Sequence, residues 1–260
     1  MTPLDLTGQT ILITRPQPEA AHTARLVEAA GGVPLLAPAL VMGPPRDPAP
    51  LLAAMTQLAS FTGVIVTSAH GAQALLDVLP ADGPRPPLHA VGPKTAAVLQ
   101  RSGYPATMPA QPGDAALLAQ TILARYGPGG RFLFLRAETG REALVQILEQ
   151  AGCTVTLVAA YRADPLAQVP EPVLTALQHG AIHAIPFFSG RSAESFIDAL
   201  PSPALPWLKQ TLIAALSPVT ATALRQRNIP VHLVAEQPTA EAILAAIARH
   251  LKVRSLGRNH

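Results

Sequence analysis

An internal repeat constrains this chain of 260 residues more than any single motif does. Three pairs of segments match: residues 63–76 (GVIVTSAHGAQALL) with 184–197 (AIPFFSGRSAESFI), 90–106 with 215–231, and, more weakly, 11–32 with 132–153. The first pair aligns Ser68 with Ser189, 121 residues later, and the third aligns Arg15 with Arg136 at the same separation. The chain is therefore expected to fold as two similar halves.

Each half alternates strand-like and helix-like segments. Residues 63–66 (GVIV) are typical of a buried strand and residues 70–79 of a helix, while a helix over residues 18–30 ends at Gly31 and Gly32, a common helix terminator. This alternation predicts α/β structure with parallel sheets.

Two further segments correspond, residues 36–45 and 158–167, and their pattern indicates strands that cross from one lobe to the other. We therefore predict two similar parallel-sheet α/β lobes joined by a two-strand hinge. The predicted parts are a middle lobe of residues 40–162, an outer lobe of residues 1–38 plus 165–255, and a tail of residues 256–260.

Composition narrows the classes of function. The chain is 49% hydrophobic and 13% charged, and its formal net charge of +3 with a pI near 9.4 favours an anionic ligand. Scattered arginines and an aromatic content of 4% argue against nucleic-acid binding. The N-terminus lacks the pattern of an export signal, and the apolar runs are too short to span a bilayer. We expect a cytoplasmic protein that does not bind membranes and, because no long apolar stripe is left over, a monomer.

The sequence contains no pattern typical of a metal site, a disulfide or a nucleotide-binding site. Cys153 is the single cysteine, and its aligned partner is Gly32, which favours a small buried residue over a nucleophile. The histidines show no HExxH or paired ligand spacing, and neither GxGxxG nor GxxxxGK[ST] occurs after a strand. No metal and no cofactor are expected.

Serine, threonine and glycine residues, with one lysine, follow four of the predicted strands. They are Thr67 and Ser68; Gly92, Lys94 and Thr95; Ser189 and Gly190; and Ser217 and Thr220. In parallel α/β sheets ligands bind beyond the carboxyl ends of strands, where helices begin, and the free N–H groups of a helix N-terminus attract anions. Together these residues predict a polyanion site. The alternative is that they only cap helices.

Three arginines and one tyrosine complete the candidate site. Arg15, Arg136 and Arg141 lie at the end of the first strand of each half or just beyond it, where a guanidinium group suits carboxylate binding; the alternative is ordinary surface arginines. Tyr161 lies in the second crossover segment and aligns with Leu40, so the duplication does not require it. It could reach an interlobe cleft or simply pack in the hinge.

Together these blocks resemble the uroporphyrinogen-III synthase family over nearly the whole chain. The resemblance rests on the order and spacing of VTSAHGAQAL, AVGPKTAAVLQRSG, VAAYRADP, FFSGRSAESF, ALSPVTATALRQRNIP and a late PTAEAI. Ser217 stands where the family usually has glycine, but serine is an equally good N-cap, so the local fold should survive. His70 and Gly71 also depart from the family pattern, and no role is assigned to them.

The resemblance implies a bilobed α/β enzyme with a cleft between its lobes. Its substrate would be the polycarboxylate hydroxymethylbilane, which it would cyclise to uroporphyrinogen III with loss of water and inversion of the last ring. Tyr161 is the candidate proton donor to the leaving hydroxyl, since an unperturbed phenol stays protonated at neutral pH. The competing hypothesis is a non-catalytic bilobed sensor that binds an organic polyanion.

Overall fold

The structure is a computed structural model, and it describes residues 4–80, 82–111, 115–140 and 143–256. The strands are β1 Thr10–Ile13, β2 Val33–Leu36, β3 Leu40–Gly43, β4 Gly63–Val66, β5 Leu88–Ala90, β6 Ala106–Thr107, β7 Arg131–Ala137, β8 Thr154–Pro165, β9 Ala184–Phe187, β10 Leu212–Ala215 and β11 Leu233–Val234. The α-helices are α1 Glu19–Ala29, α2 Ala49–Thr56, α3 Ala69–Val78, α4 Pro93–Arg101, α5 Ala115–Tyr126, α6 Ala143–Gln150, α7 Glu171–Gln178, α8 Gly190–Asp198, α9 Pro218–Gln226 and α10 Ala240–Leu256. Two 3-10 helices cover Leu58–Ser60 and Ser202–Gln210.

The chain divides into two compact units. Unit 1 comprises residues 1–41 and 164–260, and unit 2 comprises residues 42–163. The chain passes between them twice, through β3 and through β8, which are neighbouring strands of one sheet. None of the described helices is both long enough and apolar enough to cross a membrane.

Each unit is built around one sheet. The sheet of unit 1 has five strands in the order β11-β10-β9-β1-β2, all paired in parallel. The other sheet has six strands in the order β3-β8-β7-β4-β5-β6, and its pairs from β8 to β6 are parallel. The predicted fold class, two parallel-sheet α/β lobes, is confirmed.

Both sheets are covered on both faces, which explains why their central strands are apolar at successive positions. In β1, Leu12 packs in one cluster of buried residues while Ile11 and Ile13 pack in another. In β4, Val64 and Ile65 likewise belong to separate clusters. Successive side chains point to opposite faces, so each central strand contributes to two cores.

The chain leading into the first crossover, residues 33–43, is not one continuous strand. It breaks into β2 and β3, which belong to different sheets, with Ala37 and Ala39 buried between them. Ala39 accepts a hydrogen bond from the backbone N–H of Leu166, 2.9 Å away, and another from the hydroxyl of Ser195. These bonds fix the ends of both crossover segments to α8 of unit 1.

Candidate functional site

In unit 2 the candidate residues lie at the carboxyl ends of neighbouring strands. Ser68 follows β4 and is the N-cap of α3, since its Oγ accepts a hydrogen bond from the N–H of Gly71 at 3.0 Å. Gly92 follows the adjacent strand β5 and is the N-cap of α4, with Lys94 exposed in the first turn. The sheet therefore brings two helix N-termini to one edge.

Tyr161 joins this edge from β8. Its hydroxyl lies 3.0 Å from Ser68 Oγ, at hydrogen-bonding distance, and either oxygen can be the donor. Because β7 lies between β8 and β4 in the sheet, the tyrosine side chain spans an intervening strand to reach Ser68. The pairing of β7 with β8 shifts register between Arg136 and Ala137, and Ala137 is the residue opposite Tyr161. Such bulges redirect side chains, often beside functional sites.

His70 is a neighbour of Tyr161 to which the sequence assigned no role. The centroids of the two rings are 5.8 Å apart, with the ring planes inclined by 31°. His70 occupies the first turn of α3, two residues after Ser68. The contact arises from strand order, so the position of a lone histidine in the sequence carried no signal for it.

Unit 1 repeats the same caps. Ser189 accepts from the N–H of Ser192 at 3.1 Å to begin α8, and Ser217 accepts from the N–H of Thr220 at 3.3 Å to begin α9. Ser217 and Gly92 both have extended backbone conformations, so glycine is not required there, and the N-cap expected of Ser217 is present. A Cβ at Gly190 would lie 3.1 Å from Ala223 Cβ, so close packing of α8 on α9 favours glycine there.

The threonines of these loops differ in exposure. Thr67 is partly exposed, whereas Thr95 and Thr220 are nearly buried, at 4% and 2% exposure. Thr220 Oγ1 lies 3.2 Å from Ser217 Oγ. The two buried threonines therefore support the loops and offer little surface to a ligand.

Arg15 follows β1, which lies beside β9 in the sheet. Its Nη1 donates a hydrogen bond to Thr23 Oγ1 at 3.2 Å, and its guanidinium group lies over the ring of Phe188. Burial lowers the pKa of Arg15 below its ordinary value, and the charges of Glu19 and Glu241 oppose that shift. The group keeps its charge at neutral pH because an ordinary arginine titrates so far above it.

Arg136 lies near the end of β7 and is partly buried, and a Cβ at Gly140 would lie 3.1 Å from its Nη1. Arg141 lies outside the described residues.

Cys153 is 6% exposed, as expected for a small buried residue. Within the described ranges no three His, Cys, Asp or Glu side chains group as metal ligands.

Replacing Ser68 by alanine removes both a helix cap and a partner of the Tyr161 hydroxyl. We expect the Ser68→Ala variant to lose about 1 kcal/mol of unfolding free energy, the usual effect of a lost cap, which chemical denaturation measures. The Thr239→Ala variant is the matched control, because Thr239 caps α10, a helix of unit 1, through the N–H of Ala242 at 3.1 Å. In turnover assays Ser68→Ala should be about tenfold slower and Thr239→Ala unaffected. Equal turnover in both would contradict the functional role of Ser68.

Fold and site define a duplicated, two-sheet α/β protein whose strand ends carry helix caps, cations and one tyrosine. The sequence model of the family described as "Uroporphyrinogen-III synthase HemD" matches residues 21–245. The chain is 30% identical to the uroporphyrinogen-III synthase of Synechococcus elongatus, over 93% of this chain and 95% of that one. It is 26% identical to that of Chlorobaculum parvum, over 94% of this chain and the whole of the relative. The chain belongs to the uroporphyrinogen-III synthase family.

A solved structure agrees in fold. A crystal structure of a mutant uroporphyrinogen III synthase from Thermus thermophilus superposes with a TM-score of 0.64. It is 21% identical and covers 96% of this chain and 99% of its own. The likeness extends over both units of the chain.

Proposed function

We propose that the chain is a uroporphyrinogen-III synthase, which cyclises hydroxymethylbilane to uroporphyrinogen III with loss of water and inversion of the last pyrrole ring. Family membership supports this, and the observation that carries the mechanism is the 3.0 Å contact between the hydroxyls of Tyr161 and Ser68 at a strand end. A phenol held at the edge of a parallel sheet is in the region where α/β proteins bind ligands.

Ser68 can orient the phenolic proton. Its Oγ already accepts the Gly71 N–H, so its own hydrogen is free to be donated to the Tyr161 oxygen. The phenolic hydrogen of Tyr161 then points away from Ser68. A directed chain of donors results, from Gly71 N–H through Ser68 to Tyr161, and it stabilises the oxygen as its proton leaves.

In the first chemical step Tyr161 donates its proton to the hydroxyl of the bilane. The pyrrole nitrogen supplies the electron pair, the C–O bond breaks and water leaves, so that an N-protonated azafulvene and the Tyr161 phenolate remain. The substituted α-carbon of the last ring then attacks the exocyclic carbon of the azafulvene, and the new C–C bond gives a spiro intermediate. The bond from that α-carbon to its original methylene bridge breaks, and the free α-carbon of the same ring bonds to the bridge, which inverts the ring. The proton that this carbon loses returns to the Tyr161 oxygen. No net oxidation or reduction occurs, so the proposed reaction needs no cofactor.

The strand-end groups would bind the carboxylates and hold the bilane in the conformation that favours the spiro closure. The cationic side chains proposed to bind carboxylates are Arg15, Lys94 and Arg136. Arg141 is proposed from the sequence alone. The caps at Ser68, Gly92, Ser189 and Ser217, with Thr67 and Gly190 beside them, add N–H groups of helix N-termini, and Thr95 and Thr220 support their loops. Positioning of this kind can supply most of a rate enhancement.

We also propose that the protein is a cytoplasmic monomer that binds neither nucleic acid nor membranes. The modest net charge of +3 and the scattered arginines support the exclusion of nucleic acid. Light scattering during gel filtration measures the oligomeric state, and a mass near 27.1 kDa is the expected result.

The product isomer tests the function. Hydroxymethylbilane is generated in the assay, the purified chain is added, and the uroporphyrin isomers are separated after oxidation. Type III product is expected with the chain, and only the unrearranged type I isomer without it. A polyanion sensor would bind the bilane and leave type I as the product, and that outcome would overturn the proposal.

A further inference from the structure

The guanidinium group of Arg15 lies on an aromatic face that no sequence motif indicated. Its Cζ atom is 4.2 Å from the centroid of the Phe188 ring. Arg15 follows β1 and Phe188 follows β9, and these strands are neighbours in the sheet of unit 1. Strand order thus brings together two residues that are far apart in the sequence.

Stacking holds a guanidinium group without using its hydrogen-bond donors. Phe188 attracts the charge of the group through a cation–π contact and takes up none of its five N–H donors in an ordinary hydrogen bond. One donor, on Nη1, bonds Thr23 Oγ1, and the buried Thr23 hydroxyl itself donates to the carbonyl of Glu19 at 3.0 Å. In-plane donors are left for two-point binding of a carboxylate.

Phe188 is held in place by the core of unit 1. It packs against a buried cluster that includes Ile11, Ile13 and Ala214, so the ring is supported by the core of unit 1. The next residue, Ser189, begins α8. The aromatic ring that contacts Arg15 and the N-terminus of α8 are therefore set by consecutive residues.

We propose that Phe188 is a positioning residue that presents Arg15 to a carboxylate of the ligand, with Thr23 fixing the orientation of the guanidinium plane. The identity of the ligand as a polycarboxylate tetrapyrrole rests on the proposed function. The carboxylate subsite itself rests on the cation–π contact, on the Nη1 donor bound by Thr23 and on the packing of Phe188 against the core of unit 1.

Four variants test this subsite: Phe188→Leu, Phe188→Tyr, Arg15→Gln and the double variant Arg15→Gln/Phe188→Leu. Fluorescence titration measures binding of uroporphyrin III, a stable octacarboxylate, and steady-state assays measure KM and kcat with hydroxymethylbilane. Phe188→Leu should weaken binding and raise KM about fivefold with kcat within about twofold, since a desolvated cation–π contact is lost. Phe188→Tyr keeps the aromatic face and should bind within about twofold of the unmodified chain. In the Arg15→Gln background, Phe188→Leu should add no further loss.

Three results would overturn the subsite: full binding by Phe188→Leu, an equal loss in Phe188→Tyr, or a loss that persists in the Arg15→Gln background. Absence of uroporphyrin binding by the unmodified chain would also count against it. Thermal unfolding of each variant separates core damage from loss of the subsite. Binding that depends on Phe188 in a chain that makes no type III product would leave the subsite standing and reject the proposed function. Type III synthesis that is insensitive to Phe188 would reject only the subsite.

Discussion

Replacing Tyr161 by phenylalanine is expected to lower kcat for type III formation about 100-fold, the usual contribution of a general acid. The ring is retained, so its contact with His70 should persist, and KM should stay within about threefold. Only the hydroxyl that lies 3.0 Å from Ser68 is removed. Initial rates of type III formation, corrected for spontaneous cyclisation, measure the effect.

Tyr104→Phe is the matched control for the acid. Tyr104 is a partly buried tyrosine of the same unit. Its ring packs on Arg85, whose Cζ atom lies 4.8 Å from the ring centroid. The Tyr104→Phe variant should have the same kcat for type III formation as the unmodified chain. If Tyr161→Phe kept full turnover, Tyr161 would not be the proton donor, and a substrate carboxyl or water would be the better candidate.

Mild acid is expected to destabilise unit 2 through His89. The side chain is fully buried in β5, and neither of its ring nitrogens has a hydrogen-bond partner among the described residues. Burial, and secondly the charge of Arg125, lower the pKa of His89 from 6.5 to about 4. The unfolded chain therefore binds a proton between pH 6.5 and pH 4 that the folded chain does not. Stability is lost as the pH falls through this window, by about 3 kcal/mol at pH 4.

Urea unfolding of the unmodified chain and of His89→Leu at several pH values measures this contribution. The space is tight, because a Cβ at Gly63 would lie 2.9 Å from His89 Nε2, so the smaller leucine is the appropriate replacement. His89→Leu should be less sensitive to pH between 6.5 and 4, while carboxylates contribute equally to both proteins. Parallel stability curves over this range would show that His89 does not carry the acid sensitivity.

Local patterns accounted for the elements and the caps. GVIV is a strand over the predicted residues, and Ser68 and Ser189 both cap helices, as their 121-residue offset suggested. Asn228, which follows α9, has a φ of 57°, the left-handed conformation that asparagine accepts after a helix. These features depend on neighbouring residues and on the repeat, so they are readable from the chain itself.

The contacts of the candidate site could not be read in the same way. Tyr161 reaches Ser68 across β7, beside a register shift at Arg136 that no composition signal marks. Phe188 meets Arg15 only because β9 returns to lie beside β1. Both contacts follow from the order of strands that are distant in sequence, whereas periodicity reports only local structure.

Whether the chain is a catalyst is measured by the number of uroporphyrinogen III molecules formed per chain. With hydroxymethylbilane in about hundredfold excess over the purified chain, a catalyst releases its product and begins again. We expect many type III molecules per chain, formed faster than type I appears without protein. One type III molecule or fewer per chain, with type I as the remaining product, would show that the strand-end residues bind the bilane without catalysing its rearrangement.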